Sequence, residues 1–168
     1  MDKVFDDNFK DSLLTGFFNK SLESDALYQP ELLVNRKTPR KKVLTSIINE
    51  LENCENFYIS VAFVTTSGVA TLINTFDFLE KKGIKGKILV SQYLNFTQPE
   101  ALKKLSQFKN IDLKIITKEN SHSKGYIFQY PDYYNLIIGS SNLTASALST
   151  NKEWNMKVSA RNSSSIVD

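Results

Sequence analysis

The chain has 168 residues, a formal net charge of +3, 41% hydrophobic residues and 23% charged residues. This is enough for one domain with its own core, and too apolar for a disordered chain. The longest apolar runs, such as Ile59 to Val64, fall far short of a membrane span, the opening MDKVFDDNFK lacks the apolar core of a secretory signal, and Cys54 has no second cysteine to pair with, so a cytoplasmic protein is expected.

Leu13, Leu14, Phe17 and Phe18 form the apolar side of a short helix over Asn8 to Phe18. Residues 19–39 read as irregular, with Pro30 and Pro39 as breakers. Within them starts RKTPRKK, residues 36–42, which holds five cations and no anion. It reads either as a solvated loop or as a phosphate-binding patch. Pro39 is placed to open a helix reaching Asn53, in which Val43, Ile47, Ile48 and Leu51 recur at helical spacing. Phe57 to Val64, FYISVAFV, predicts a strand buried on both faces. The hydroxyls of Thr65 to Ser67 precede a helix that runs to Lys82 and ends at Gly83. Lys87 to Ser91 predicts a second strand, Pro99 to Phe108 a helix and Leu113 to Thr117 a third strand. The rhythm then changes. Lys124 to Gln129 and Tyr134 to Gly139 read as a hairpin around QYPDYYN, and Trp154 to Ser159 as a last strand after a short helix at Thr144 to Leu148. Helices and strands that alternate and then give way to a hairpin predict an α/β domain with a mixed sheet.

Polar residues gather near predicted strand ends in the last third of the chain. They are His122 with Lys124, the turn Gly139-Ser140-Ser141-Asn142, and Glu153. In an α/β sheet such positions can converge on one site. A neutral imidazole escapes the repulsion that a phosphodiester exerts on anionic nucleophiles, and it can form a covalent intermediate. Lys124, the Asn142 amide and a Ser140 or Ser141 hydroxyl supply donors for the non-bridging oxygens. Glu153 is suited to accept a hydrogen bond from the second imidazole nitrogen. Separately, each has a plainer role: a solvated charge at a strand end, a helix cap, a surface carboxylate. Trp154 is expected in the core rather than as a base-stacking platform, and Tyr126, Tyr130, Tyr133 and Tyr134 read as ordinary strand composition or as surfaces on which bases stack. Asp112-Leu113-Lys114 fits half of a metal-dependent nuclease motif, but no convincing partner acid precedes the previous strand.

HSKGYIF, IIGSSNLT and NKEWNMKV together resemble the signature of the phospholipase D superfamily: His-x-Lys, four residues and an Asp, then Gly-Ser-x-Asn and a later Glu. His122, Lys124, Gly139, Ser140, Asn142 and Glu153 fall on those positions, whereas Gln129 stands at the Asp. From Leu32 to Val158 the chain is similar to the phospholipase-D-like domain at the N-terminus of some bacterial superfamily 2 helicases. The resemblance implies a phospholipase-D-like mixed sheet flanked by helices, with a lead-in at 1–38, the domain at 39–160 and a polar tail at 161–168 that would continue into a helicase. It implies a metal-independent phosphodiesterase that acts on nucleic acid, DNA above all, through a phosphohistidine on His122. Such a mechanism uses two imidazoles and this chain has one histidine, so a homodimer is expected to complete the site. No cofactor is expected, since one histidine and one cysteine make a poor metal-ligand set. The alternative is a module that binds DNA without cleaving it, for an attached helicase.

Overall fold

The computed structural model describes residues 3–119 and 121–167. Five helices are α1 (Lys3–Phe17), α2 (Val43–Asn53), α3 (Thr66–Lys82), α4 (Pro99–Leu105) and α5 (Ala145–Ser149). The strands are β1 (Glu31–Leu33), β2 (Asn56–Val61), β3 (Lys85–Ser91), β4 (Ile111–Ile116), β5 (Gly125–Gln129), β6 (Tyr133–Gly139) and β7 (Asn155–Arg161). They form one mixed sheet in the order β1-β7-β6-β5-β2-β3-β4. β2, β3 and β4 run parallel, and β5 joins them antiparallel, pairing Ser60 with Gly125. β6, β7 and β1 then alternate in direction.

The strand directions decide where the loops go. The C-terminal ends of β2, β3, β4, β6 and β1 and the N-terminal ends of β5 and β7 all lie at the same end of the sheet. Segments 62–65, 92–98, 121–124, 140–144, 150–154 and 34–42 therefore gather there, although they span much of the sequence.

The core lies between the sheet and one layer of helices. Val43, Ile47 and Leu51 of α2 and Val69, Leu72, Phe76 and Leu79 of α3 pack on Phe57, Ile59, Ile88, Val90, Tyr126 and Phe128. This corrects the expectation for β2. Its residues alternate, with Phe57, Ile59 and Val61 buried and Asn56, Tyr58 and Ser60 half-buried, because the helices α2 to α5 cover one face only. Helix α2 begins at Val43 rather than at Pro39. Val43 N–H donates to Asn35 Oδ1 at 3.0 Å, so a side chain from the preceding segment serves its first turn. Residues 31–33, expected to be irregular, form β1 through pairing with β7, which no local pattern announces. Helix α3 begins after Thr65, whose hydroxyl accepts from Gly68 N–H at 3.1 Å, and ends at Gly83 as expected.

Cys54 is 4% exposed, and burial pushes its thiol up to about 12. The thiolate is the reactive form. Ellman's reagent is therefore expected to leave Cys54 unmodified in the native protein and to modify it fully in denaturant.

Candidate active site

The His122 segment is tied to the sheet through its serines. Ser123 Oγ lies 3.2 Å from Ser60 Oγ and 2.9 Å from Ser121 Oγ, while Ser121 N–H donates to Ser91 Oγ at 3.3 Å. Side chains alternate along extended chain. With Ser121 and Ser123 anchored to the ends of β2 and β3, His122 and Lys124 take the other side. The exposed His122 ring rests against Tyr93, with centroids 4.6 Å apart. Tyr93 opens a short 3-10 turn after β3. Neither these serines nor Tyr93 was legible as site-building from sequence; the alternating pattern of SHSK was the available signal.

Lys124 is 6% exposed and its Nζ donates to His122 O at 2.6 Å. Desolvation by burial pulls its ammonium below the ordinary 10.5, opposed by the nearby Glu153 carboxylate. The backbone acceptor uses one of its three donors, which leaves two for an anion.

The turn after β6 is held between β7 and the start of α5. Ser140 N–H donates to Trp154 O and Trp154 N–H to Ser140 Oγ, both at 3.1 Å. Asn155 grips Ser141 twice, from Asn155 Nδ2 to Ser141 Oγ at 2.9 Å and from Ser141 N–H to Asn155 Oδ1 at 3.2 Å. A Cβ on Gly139 would stand 2.2 Å from Trp154 O, so this close approach of the end of β6 to the start of β7 needs glycine. Asn142 is 7% exposed and its Oδ1 accepts from Phe63 N–H at 3.2 Å. That bond orients the amide, and among the described residues Nδ2 donates to no protein acceptor. The cap of α5 comes from Thr144, which accepts from Ala147 N–H at 3.1 Å, rather than from Ser140, Ser141 or Asn142.

Glu153 accepts a hydrogen bond from Ser140 Oγ. The expected bond from the His122 imidazole to Glu153 is not formed among the described residues. Since a serine has one hydroxyl proton, Ser140 spends it on Glu153 in this arrangement. His122, Lys124, Ser140, Asn142 and Glu153 nonetheless stand at one end of the sheet, on loops flanking β5, β6 and β7.

Other expectations fall elsewhere. Gln129 ends β5 at the far side of the sheet, about 20 Å along the strand from His122. There its Oε1 accepts from Tyr58 Oη at 3.1 Å and Asn56 Nδ2 at 3.4 Å, joining β5 to β2. The position of the signature Asp thus lies at the end of the sheet opposite His122. Tyr126 is buried, with its hydroxyl donating to Ser141 O at 3.0 Å. Tyr130 and Tyr133 stack on each other at 4.6 Å, again at the far end. Trp154, expected in the core, is 72% exposed. It precedes β7 at the histidine end, beyond the cover of the helices. Asp112 and Lys114 pair with each other at 3.5 Å on the exposed edge strand β4. A cavity of about 850 Å³ also lies at the far end, against Tyr58, Lys85, Lys87 and Lys109. Among the described residues no three His, Cys, Asp or Glu side chains are grouped to share one metal ion, and no helix is long and apolar enough to cross a membrane.

A mixed α/β sheet carrying His-x-Lys and Gly-Ser-x-Asn at one end defines the phospholipase-D-like class of domain. Residues 47–168 match the family model described as "Cardiolipin synthase, PLD-like domain", and the chain belongs to that family within the phospholipase D superfamily. Among solved structures, the chain is similar to NucT from Helicobacter pylori, with 20% identity and a TM-score of 0.57 over 79% of this chain and 85% of that one. It is also similar to Nuc, a phospholipase D family member from Salmonella typhimurium, with 17% identity and a TM-score of 0.55 over 79% and 84% of the two chains. A third likeness, to phosphatidylserine synthase from Haemophilus influenzae, has 13% identity and a TM-score of 0.56 over 80% of this chain and 35% of that one. At these identities the likeness is one of fold. No curated protein sequence matches the chain.

Proposed function

We propose that the chain is a metal-independent phosphodiesterase domain that acts on nucleic acid, with DNA as the leading substrate, and that it works as a homodimer. The observation that carries this reading is the meeting of His122, Lys124 and Asn142 at one end of the sheet, with two Lys124 donors and the Asn142 Nδ2 group left for a phosphate. In the mechanism, His122 attacks phosphorus and a P–N bond forms as the P–O bond to the leaving group breaks. The protonated His122 of a second copy gives its proton to the departing oxygen. That imidazole, now neutral, takes a proton from water, whose oxygen bonds to phosphorus as the P–N bond breaks and frees the first imidazole. Lys124 and Asn142 hold the non-bridging oxygens, where charge concentrates in the transition state. Ser140 positions Glu153, whose charge sustains the Lys124 ammonium against its burial.

Nucleic acid is favoured over lipid by the cations of residues 36–42 and by the resemblance to domains joined to helicases; attachment to a helicase is part of the same proposal. Fold gives no such preference, because the solved structures of this fold include a phospholipid-synthesising enzyme by name. The test is hydrolysis of bis(p-nitrophenyl) phosphate and of single- and double-stranded DNA in EDTA, with sedimentation at the assay concentration. A dimer that turns over in EDTA is expected. Turnover only with added metal overturns the mechanism, and a monomer that binds DNA without cleaving it replaces the enzyme with a binding module.

Lys124 adds a pH dependence. Only its ammonium form attracts phosphate, and burial makes it lose the proton below the ordinary 10.5. Affinity of the His122→Ala protein for inorganic phosphate is expected to fall as pH rises through that lowered value. In His122→Ala/Lys124→Arg the fall should vanish, because guanidinium stays charged. Calorimetric titration from neutral to alkaline pH reads both.

A further inference from the structure

Residues 34–42 leave β1 at the histidine end and fold into a tight hairpin. Arg36 and Lys41 exchange backbone hydrogen bonds of 2.8 and 3.0 Å. Of the five cations in residues 36–42, Lys41 pairs with Glu31, while Arg36, Lys37, Arg40 and Lys42 have no ion pair among the described residues. Four unneutralised cations on one short hairpin repel one another, so the arrangement is suited to an anionic partner. A cleft of about 210 Å³ opens here between Arg36, Lys37, Arg40, Lys42 and the Ser149–Thr150 end of α5.

The hairpin is also fixed relative to the site. Asn35 Nδ2 donates to Ala147 O at 2.9 Å and to Asn151 O at 2.8 Å, tying the hairpin to the segment that leads into Glu153. The sheet order β5-β6-β7-β1 lines up His122 and Lys124, then Ser140, then Glu153 and Trp154, then the hairpin. Strands are spaced about 4.8 Å apart, so the row is about 14 Å long, the reach of a few nucleotides. Trp154 stands within this row. It is 72% exposed, yet its backbone is clamped to Ser140 by two hydrogen bonds of 3.1 Å. A large apolar ring held in water beside a phosphate site, and followed by unpaired cations, has the two parts of a single-strand platform: a face for an unpaired base and charges for the backbone.

From this juxtaposition we infer that a single-stranded nucleic-acid segment leaves the reacting phosphate across Trp154 and onto the hairpin, with a base stacked on the indole and the next phosphates held by Arg36, Lys37, Arg40 and Lys42. The inference rests on the phosphodiesterase reading for its placement of the reacting phosphate. It goes beyond that reading in assigning strandedness and the residues that choose it.

Trp154 is the single tryptophan of the chain, so intrinsic fluorescence reads this surface directly. The probe is an oligothymidylate titrated into the His122→Ala protein, with a blunt duplex of equal length as comparison. Saturable quenching by the single strand and weak quenching by the duplex are expected. Trp154→Ala should weaken single-strand affinity, read by anisotropy of a labelled oligonucleotide, by about tenfold. Lys37→Ala/Arg40→Ala should lower the slope of log affinity against log salt by about 0.7 for each phosphate left without its cation. The inference is overturned if the oligonucleotide leaves the fluorescence unchanged, if duplex binds as tightly as single strand, or if the variants bind like the parent. It is also overturned if emission of the free protein is blue-shifted and shielded from iodide, since Trp154 would then be covered by a second copy. Failure of the phosphodiesterase reading shows separately, as absent hydrolysis of bis(p-nitrophenyl) phosphate by the unsubstituted protein.

Discussion

His122→Ala is expected to lower the rate of bis(p-nitrophenyl) phosphate hydrolysis by at least about 10³-fold, because removal of a covalent nucleophile leaves only binding and charge stabilisation. Retention of the fold is expected as well. The ring is exposed and rests against Tyr93, and the segment keeps its attachments through Ser121 and Ser123. Circular dichroism and the melting temperature check this. Wild-type protein quenched in alkaline detergent should carry the labelled phosphoryl group on histidine in an acid-labile, alkali-stable linkage after exposure to labelled substrate, and the variant should not. Mixing adds a test of the two-copy mechanism. If both imidazoles of a dimer are required, equal amounts of wild-type and variant chains that exchange freely leave about a quarter of dimers intact. Activity should then fall below that of the wild-type chains alone. Activity that stays proportional to wild-type chains would remove the partner's histidine from the mechanism, and a fully active variant would sink it.

The second large effect concerns stability and lies away from His122. Glu50 of α2 has a side chain 2% exposed, and its Oε1 stands 2.6 Å from Lys157 Nζ on β7. Its Oε2 accepts from Tyr130 Oη and Asn135 Nδ2, each at 2.8 Å. Asn135 in turn accepts from Ser159 Oγ at 2.6 Å. A carboxylate removed from water is tolerated while such partners compensate it. Lys157→Met leaves the charge buried without its cation and is expected to cost about 3 kcal/mol. For a chain of this size that lowers the melting temperature by about 10 °C. Glu50→Gln/Lys157→Met removes both charges while keeping an acceptor for the amide and phenol, so it should recover much of the loss. Thermal and urea denaturation of the single and double variants measure this. A single variant as stable as wild type would show that Glu50 finds water or another cation.

Much of the architecture was legible along the chain. The period of Val69, Leu72, Phe76 and Leu79, with Thr65 before and Gly83 after, located α3 because a helix and its caps are local structures. β1 was not legible, since three residues acquire strand form only by pairing with β7, more than 100 residues later. The same limit explains Trp154. Its hydrophobicity argued for the core, but burial depends on whether another element covers the position. Glu153 is a related case: its bond to Ser140 depends on the pairing of β6 with β7 at Gly139, which sequence spacing does not report.

The sequence by itself determined the chemical inventory, with one histidine, a lysine two residues on, an Asn turn and a run of cations, and also most elements, because propensity, periodicity and capping act within a few turns of chain. Only the tertiary structure decided that these parts share one end of the sheet, that Gln129 lies at the other, and that Trp154 stands uncovered between Ser140 and the basic hairpin. Those outcomes follow from strand order and direction, which long-range pairing and burial set together and which no local stretch of sequence encodes.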